Sequence, residues 1–339
     1  METLPVFVGL DYHQRFVQVC VLDRAGGVLA NRRCDNDHMA IAQFAGPFGD
    51  VRAVAIEACT GSADLAEILI NTTRWSVHLA HPGYVARMKR GPDKSDFTDA
   101  RMLADLVRVG YLPEVWLAPE HIRELRKLVG YRRQLTEQRR NAKLRIGALA
   151  RERRVRSDLP RGSQLRLQSL ARSGALGEQS RWIADRHLSR LLELDLEIKA
   201  VESRLTALTR DDPVVQRLAQ LRGIGPVTAW ALRANVGRFD RFANGKQLAR
   251  FCGLSPRNAS SGQRQADAGL VKAGDKYLRS ILIEAAHRLI WHDERWKALA
   301  ARLESRGKPR SVTVAAVANR WVRWLHHEMT EVRPRPMAS

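Results

Sequence analysis

The chain has 339 residues, room for two or three domains, and 45% apolar residues mark it as globular rather than disordered. Lysine and arginine outnumber aspartate and glutamate 57 to 36, a net charge of +21, which points to a polyanionic partner, nucleic acid first and an anionic membrane surface second. No run approaches the ~18 apolar residues of a membrane span and Met1–Asp11 does not read as a signal peptide; the four cysteines form no CxxC pair, which argues against a zinc site or disulfide framework and suits a reducing cytoplasm.

VFVGLDY (6–12), FVQVCVLD (16–23) and GVLANRRC (27–34) are predicted as a three-stranded meander with turns at His13-Gln14 and Arg24–Gly27. A helix around Met39–Phe44, the strand VRAVAIEA (51–58), a helix near Ala63–Ile70, the strand WSVHLA (75–80) and a helical stretch around Tyr84–Lys89 follow. Three antiparallel strands followed by alternating helices and strands is the element order of an RNase H-like domain; other α/β folds begin with a parallel unit.

In KRGPDKSDFTDARMLADL (89–106) a Gly91-Pro92 turn leads into a helix that starts with Asp96 and Asp99. Residues three apart share a helix face, and this face continues through Ala100, Leu103 and Val107. One reading is capping, with Asp96 as N-cap and Asp99 at N3, favoured by the helix dipole. The other adds Asp11, which ends the first strand, and Glu57, which ends the strand 51–58; in an RNase H-like sheet those strands are neighbours. Four carboxylates so placed would hold two divalent metal ions for phosphoryl transfer. Asp105 falls off the stripe, and Asp93 precedes the helix.

Residues 119–209 are poor in glycine and proline apart from 159–176, and two long helices are predicted, 119–156 and 178–209. The second carries a heptad of Leu191, Leu194, Ile198, Val201, Leu205 and Leu208, a coiled-coil seam within the chain or between subunits. The first is basic: residues 121–172 hold 16 Lys/Arg against 4 Asp/Glu. A solvated face usually mixes both signs, so a phosphate-binding surface is favoured, with Arg139, Arg140, Lys143, Arg151, Arg153 and Arg154 as its contacts.

From 210 onward the chain reads as helical with one irregular insertion. LRGIGPVTAWAL (221–232) matches the hairpin of a helix-hairpin-helix module, with Gly223 and Gly225 letting amides face a phosphate. Around 258–279, Ser260, Ser261 and Gly262 sit in a loop with Arg257, Arg264 and Lys272. No histidine lies between His187 and His287, so on the residues alone a polar phosphate-binding turn is preferred over a Ser-His nucleophile. Helices are predicted over 275–287 and 312–328 and a disordered tail over 333–339; Trp321 and Trp324 read as core or interface residues.

GLD (9–11), IEACTGS (56–62), KSDFTDA (94–100), LRGIGPVTA (221–229) and GLSPRNASSG through KAGDKYLR (253–279), in this order, resemble the DEDD transposases of insertion-sequence family 110 over nearly the full length. Ser95 stands where the family usually has threonine. The resemblance implies α/β plus all-α architecture: a RuvC-like RNase H domain (1–118), a basic helical and coiled-coil segment (119–209) and a mostly helical C-terminal transposase domain (210–339). It implies Asp11, Glu57, Asp96 and Asp99 as ligands of Mg²⁺, two ions, and Ser261 as a nucleophile that becomes joined to the cut DNA end, with its neighbour Ser260 left open. It further implies donor and target DNA as substrates, a structured "bridge" RNA as guide, and dimers to tetramers in the bacterial cytoplasm. A Holliday-junction resolvase shares the four acids but uses water as nucleophile and needs no SSG-bearing domain; a binding protein without catalysis would not need the acids.

Overall fold

A computed structural model describes residues 4–88, 95–160, 162–258, 267–271 and 274–331. The chain forms two compact units, 1–119 and 120–339.

The first unit opens with β1 (Pro5–Tyr12), β2 (Phe16–Leu22) and β3 (Val28–Asp35), followed by α1 (His38–Ala45), β4 (Asp50–Glu57), α2 (Ser62–Thr73), β5 (Val77–Ala80), α3 (Pro82–Met88), α4 (Asp96–Arg108) and the two-residue β6 (Glu114–Val115). The sheet order is β3-β2-β1-β4-β5-β6. The first three strands pair antiparallel as the meander predicts, β1, β4 and β5 run parallel, and β6 returns antiparallel on β5.

Strand alternation sorts the residues onto two unlike faces. Val6, Val8, Leu10, Val17, Val19, Val21, Val54, Ile56, Val77 and Leu79 pack with Ile41, Leu65 and Leu69 of α1 and α2, a layer of bulky side chains. The opposite face is built from small residues: Cys20 meets Ala100 and Ala104 of α4, and Ala55 and Ala80 meet Val85 and Leu103. At its centre is Gly9. A Cβ added there would lie 2.0 Å from the Ala100 carbonyl oxygen and 2.5 Å from the Ala104 nitrogen, so α4 rests on bare strand backbone. Asp11 lies two residues beyond Gly9 and Glu57 two beyond Ala55, so both belong to the face that α4 covers.

The second unit is helical: α5 (Glu120–Glu152), α6 (Gln164–Ala171), α7 (Glu178–Thr209), α8 (Pro213–Ala219), α9 (Pro226–Val236), α10 (Gly245–Phe251), a hairpin of β7 (Pro256–Asn258) and β8 (Asp267–Leu270), then α11 (Lys276–His292), α12 (Glu294–Glu304) and α13 (Arg310–Thr330). Helices α5 and α7 pack antiparallel, as their cross-links show: Arg132 to Glu202 at 2.6 Å, Tyr131 to Glu197 at 2.7 Å and Arg139 to Asp195 at 2.9 Å. The heptad residues Leu191 to Leu205 are buried within this chain, whereas Leu208 is exposed. Leu125, Val129 and Leu135 of α5 share a core with Trp230, Leu282 and the fully buried Trp321.

Candidate active site

Helix α4 begins with Ser95, not Asp96, as its N-cap: the Ser95 hydroxyl accepts from the Thr98 amide at 3.2 Å. This corrects the capping reading of the two acids. Serine and threonine both cap through a side-chain hydroxyl, so the departure at this position is conservative. Asp96 and Asp99 occupy the first turn, where the helix dipole favours negative charge, and neither serves as the cap. Asp99 is buried, 7% exposed.

The start of α4 is tied to the sheet. The Gln18 amide donates to Asn31 at 2.7 Å, and Asn31 donates to the Phe97 carbonyl at 3.0 Å. From β3, Arg33 reaches Asp96 at 2.9 Å. In the turn after β1, the Nε2 of His13 lies 3.2 Å from Asp11 and 3.4 Å from Asp96, joining the strand acid to the helix acid. Phe16 supports this bridge from below, stacked on His13 at 4.5 Å and carrying the Arg33 guanidinium at 4.3 Å. Asp11, His13 and Asp96 each offer one ligand atom within 4.8 Å of the others.

Burial raises the Asp11 carboxyl above its ordinary range; His13 opposes the shift, and the charges of Asp99 and Asp96 add to it. Three of the four predicted acids thus feel one another. Glu57 follows the Leu10–Ile56 pair on the neighbouring strand, one step beyond the last paired residues. Burial pushes the Cys59 thiol up, hydrogen bonds with Ser62 pull it back, and the carboxylates of both Glu57 and Asp11 raise it again, so the two acids flank the same group. The loop that carries Glu57 into α2 is closed by Ser62, whose hydroxyl accepts from the Cys59 amide at 2.9 Å.

The donors fit a hard divalent cation. Burial and the neighbouring carboxylates make Asp11 resist ionisation, and a cation of double charge removes that resistance. The carboxylates suit Mg²⁺ or Mn²⁺, whereas the imidazole is a softer donor that Mg²⁺ takes poorly. Asp105, off the stripe, pairs with Arg108 at 2.9 Å. Asp93 lies outside the described residues.

Sequence reasoning missed His13, Arg33 and Phe16. The available signal was slight: His13 follows Asp11 by two residues in a turn, and Arg33 falls on the face of Asn31 by period two.

Comparison with known proteins decides the class. A family model described as transposase, the DEDD transposase of IS110, matches residues 8–152, and one described as transposase IS116/IS110/IS902 family matches 215–301; together they cover about two thirds of the chain. The chain belongs to the IS110 family of transposases. Its relatives include the probable family 20 transposase of Pseudomonas aeruginosa, 28% identical over 94% of this chain and 95% of the relative. The transposase of insertion sequence element IS1111A of Coxiella burnetii is 26% identical over 94% and 88%, and that of IS1328 of Yersinia enterocolitica 26% over 82% of both. As a transposase the protein acts on DNA, and among the described residues no helix is long and apolar enough to cross a membrane.

The remaining predicted positions of the transposase are spread over the second unit. Arg140, Arg151, Arg153 and Arg154 are exposed at or just past the C-terminal half of α5, Lys143 is half-buried, and Arg139 is held by Asp195. Gly223, with φ of 87°, and Gly225, the N-cap of α9, form the turn between α8 and α9. Arg222, Arg288 and His292 line a concavity of about 600 Å³ beside that turn. Arg257 is exposed on β7; Ser260, Ser261, Arg264 and Lys272 lie outside the described residues, as do Lys89–Lys94 and the tail 333–339.

Proposed function

We propose that this transposase cuts and exchanges DNA strands by metal-assisted phosphoryl transfer through a covalent serine–DNA intermediate, guided by a bridge RNA. The observation that carries the reading is the juncture of Asp11, His13 and Asp96, with Asp99 coupled to it, on the face of a sheet whose strand order fits a RuvC-like RNase H domain.

Asp11, Glu57, Asp96 and Asp99 would hold the Mg²⁺ ions. When bound, a divalent cation neutralises phosphate charge and lowers the pKa of an attacking hydroxyl. The chain's own residues do the rest. Gln18, Asn31 and Arg33 fix where α4 presents its acids. His13, between Asp11 and Asp96, orients both carboxylates. Ser261 supplies the hydroxyl: its oxygen bonds to phosphorus, the phosphorus–O3′ bond of the DNA breaks, and the proton leaves with the 3′ oxygen. A second DNA 3′-hydroxyl then attacks the phosphoserine, releasing Ser261 and conserving the phosphodiester bond count. The basic face of α5 from Arg140 to Arg154, Arg257, Arg264, Lys272 and the Gly223–Gly225 turn track nucleic-acid backbones by charge. In functional terms the chain divides into a catalytic domain (1–118), a basic helical segment (119–209) that supports dimers or tetramers, and a serine-bearing domain (210–339).

The test combines two measurements. Incubation with element-end DNA traps a protein–DNA adduct that Ser261→Ala abolishes, and sequencing of RNA purified with the protein recovers transcripts of the element's own flanks. Cleavage without an adduct in the wild type leaves a water-using nuclease instead; no enriched RNA removes the guide.

A further inference from the structure

Outside every site discussed so far, the second unit carries a concavity of about 590 Å³ lined by Asn244, Gly245, Lys246, Arg295, Arg320, Arg323 and Trp324. Its lining holds four cations and no carboxylate. Arg320, Arg323 and Trp324 share one face of α13, at spacings of three and four. Arg295 comes from α12, and its guanidinium sits 4.8 Å from the Trp296 ring and 5.8 Å from that of Trp324, the two rings meeting edge to face. The aromatic pair holds the charge at the wall of the cleft. Gly245 forms the floor: a Cβ there would lie 2.7 Å from the Arg323 carbonyl oxygen, so the chain passes against α13 without a side chain between.

Some exposed or half-exposed cations of the same unit are paired, Arg133 with Glu137, Arg190 with Glu193, Lys297 with Glu294 and Arg310 with Glu304, whereas those of the cleft, like those of the Arg140–Arg154 face, are not. Carboxylates that neighbour the lining residues in sequence have partners of their own. Asp293 caps α12, Glu294 holds Lys297, and Glu331 holds His327 at 3.0 Å. Among the described residues, Lys246, Arg295, Arg320 and Arg323 have no ion-pair partner. Four converging like charges repel one another, and a concave shape focuses their field outward. A multivalent anion with a repeat of charge relieves the repulsion by meeting several of them at once.

The geometry points to this cleft as a seat for a nucleic-acid phosphodiester backbone, with Lys246, Arg320 and Arg323 on successive phosphates and Trp296 and Trp324 as positioning residues for Arg295. The inference rests on the reading of the chain as an enzyme of nucleic acids and adds a contact surface that its motifs do not include. Both RNA and DNA offer this chemistry, and the test separates them.

Full-length protein is titrated with labelled duplex DNA, the corresponding single strand and its RNA counterpart over a series of salt concentrations. Arg320→Ala/Arg323→Ala is expected to weaken one or more of these about tenfold at 0.1 M salt and to lower the slope of log K against log salt by about 1.8 for duplex or about 1.4 for a single strand. Arg320→Lys/Arg323→Lys is expected to restore the slope. The probe most affected identifies the strand that occupies the cleft. An unchanged slope for all three probes overturns the inference, whether or not affinity falls, because a folding defect lowers affinity without changing counterion release. Wild-type protein that binds no probe overturns the functional reading and this one together; wild-type binding with an unaltered double variant overturns the cleft alone.

Discussion

The acidic cluster of the first unit and the basic cleft of the second both gather like charges, but in different media. Asp99 and Asp11 are largely buried, 7% exposed as a residue and 15% as a side chain, whereas Arg33 apart, the cluster's cations are few. Arg295, Arg320, Arg323 and Lys246 are exposed. At 4 Å, repulsion between unit charges is about 1 kcal/mol in water and about 4 kcal/mol at an effective dielectric constant of 20. The cluster therefore depends on a scaffold that forces its carboxylates together, from the Ser95 cap to the Asn31 tether. The cleft needs little more than the N-terminal ends of two helices, α10 and α12, set beside the middle of a third, α13. A compact cation answers the first, a long anion the second.

The sharpest break of this comparison separates chemistry from binding. Asp96→Asn or Asp99→Asn is expected to cut strand cleavage by about a thousandfold or more while DNA affinity stays within about twofold, measured by cleavage assay and titration. Next, His13→Gln is expected to weaken Mn²⁺ binding about 10- to 100-fold by calorimetry, as loss of an orienting partner does at metal sites. A fall of less than twofold places His13 outside the metal's reach. Gly9→Ala should destabilise the first unit by about 1–3 kcal/mol in urea unfolding, because the added methyl meets helix backbone that cannot step aside.

The pH response tests the burial difference itself. The folded-state value of Asp11 is raised, chiefly by burial. In chelator, its contribution to stability is fully present below the unfolded carboxylate value and is lost as pH rises through the folded value. Asp11→Asn should therefore raise the melting temperature of the metal-free protein at pH 7 and flatten its fall with pH, at the cost of activity. With metal present the direction reverses: affinity grows as pH rises through the same value, because the cation displaces the proton. The smallest effect belongs to the exposed cleft. Arg323→Ala should change stability by no more than about 0.5 kcal/mol, with a slight gain at low salt that disappears at high salt.

Much of the first unit is legible in the residues. The meander shows because Val6, Val8 and Leu10 alternate with Phe7 and Gly9, and turn residues separate the strands. The acids show because each stands at the end of an element. His13 and Arg33 do not, since their partner Asp96 lies 63 or more residues away and only β2–β3 register brings Arg33 across. β6 is two residues long, and the β7–β8 hairpin is built from Pro256, Arg257, Asn258 and Asp267, poor strand formers. The helix predicted over 275–287 runs on to His292, and α12 escapes notice because Asp293 ends one helix and caps the next. Trp321 is core as expected, while Trp324 also borders the cleft. The cleft itself is assembled from 244–246, 295 and 320–324, each of ordinary composition, so no window of sequence contains it.

Gly9 sets a mechanical tolerance. Layers packed through side chains have slack, because a rotamer can turn and let a helix ride higher or lower on its sheet. Where α4 meets β1 there is no such spring: the Ala100 carbonyl and the Ala104 amide face the strand with only hydrogen atoms between. The height of Asp96 and Asp99 above Asp11 is then set by van der Waals contact between two backbones, much as a gauge block fixes a gap. Of the twenty residue types only one keeps that gap.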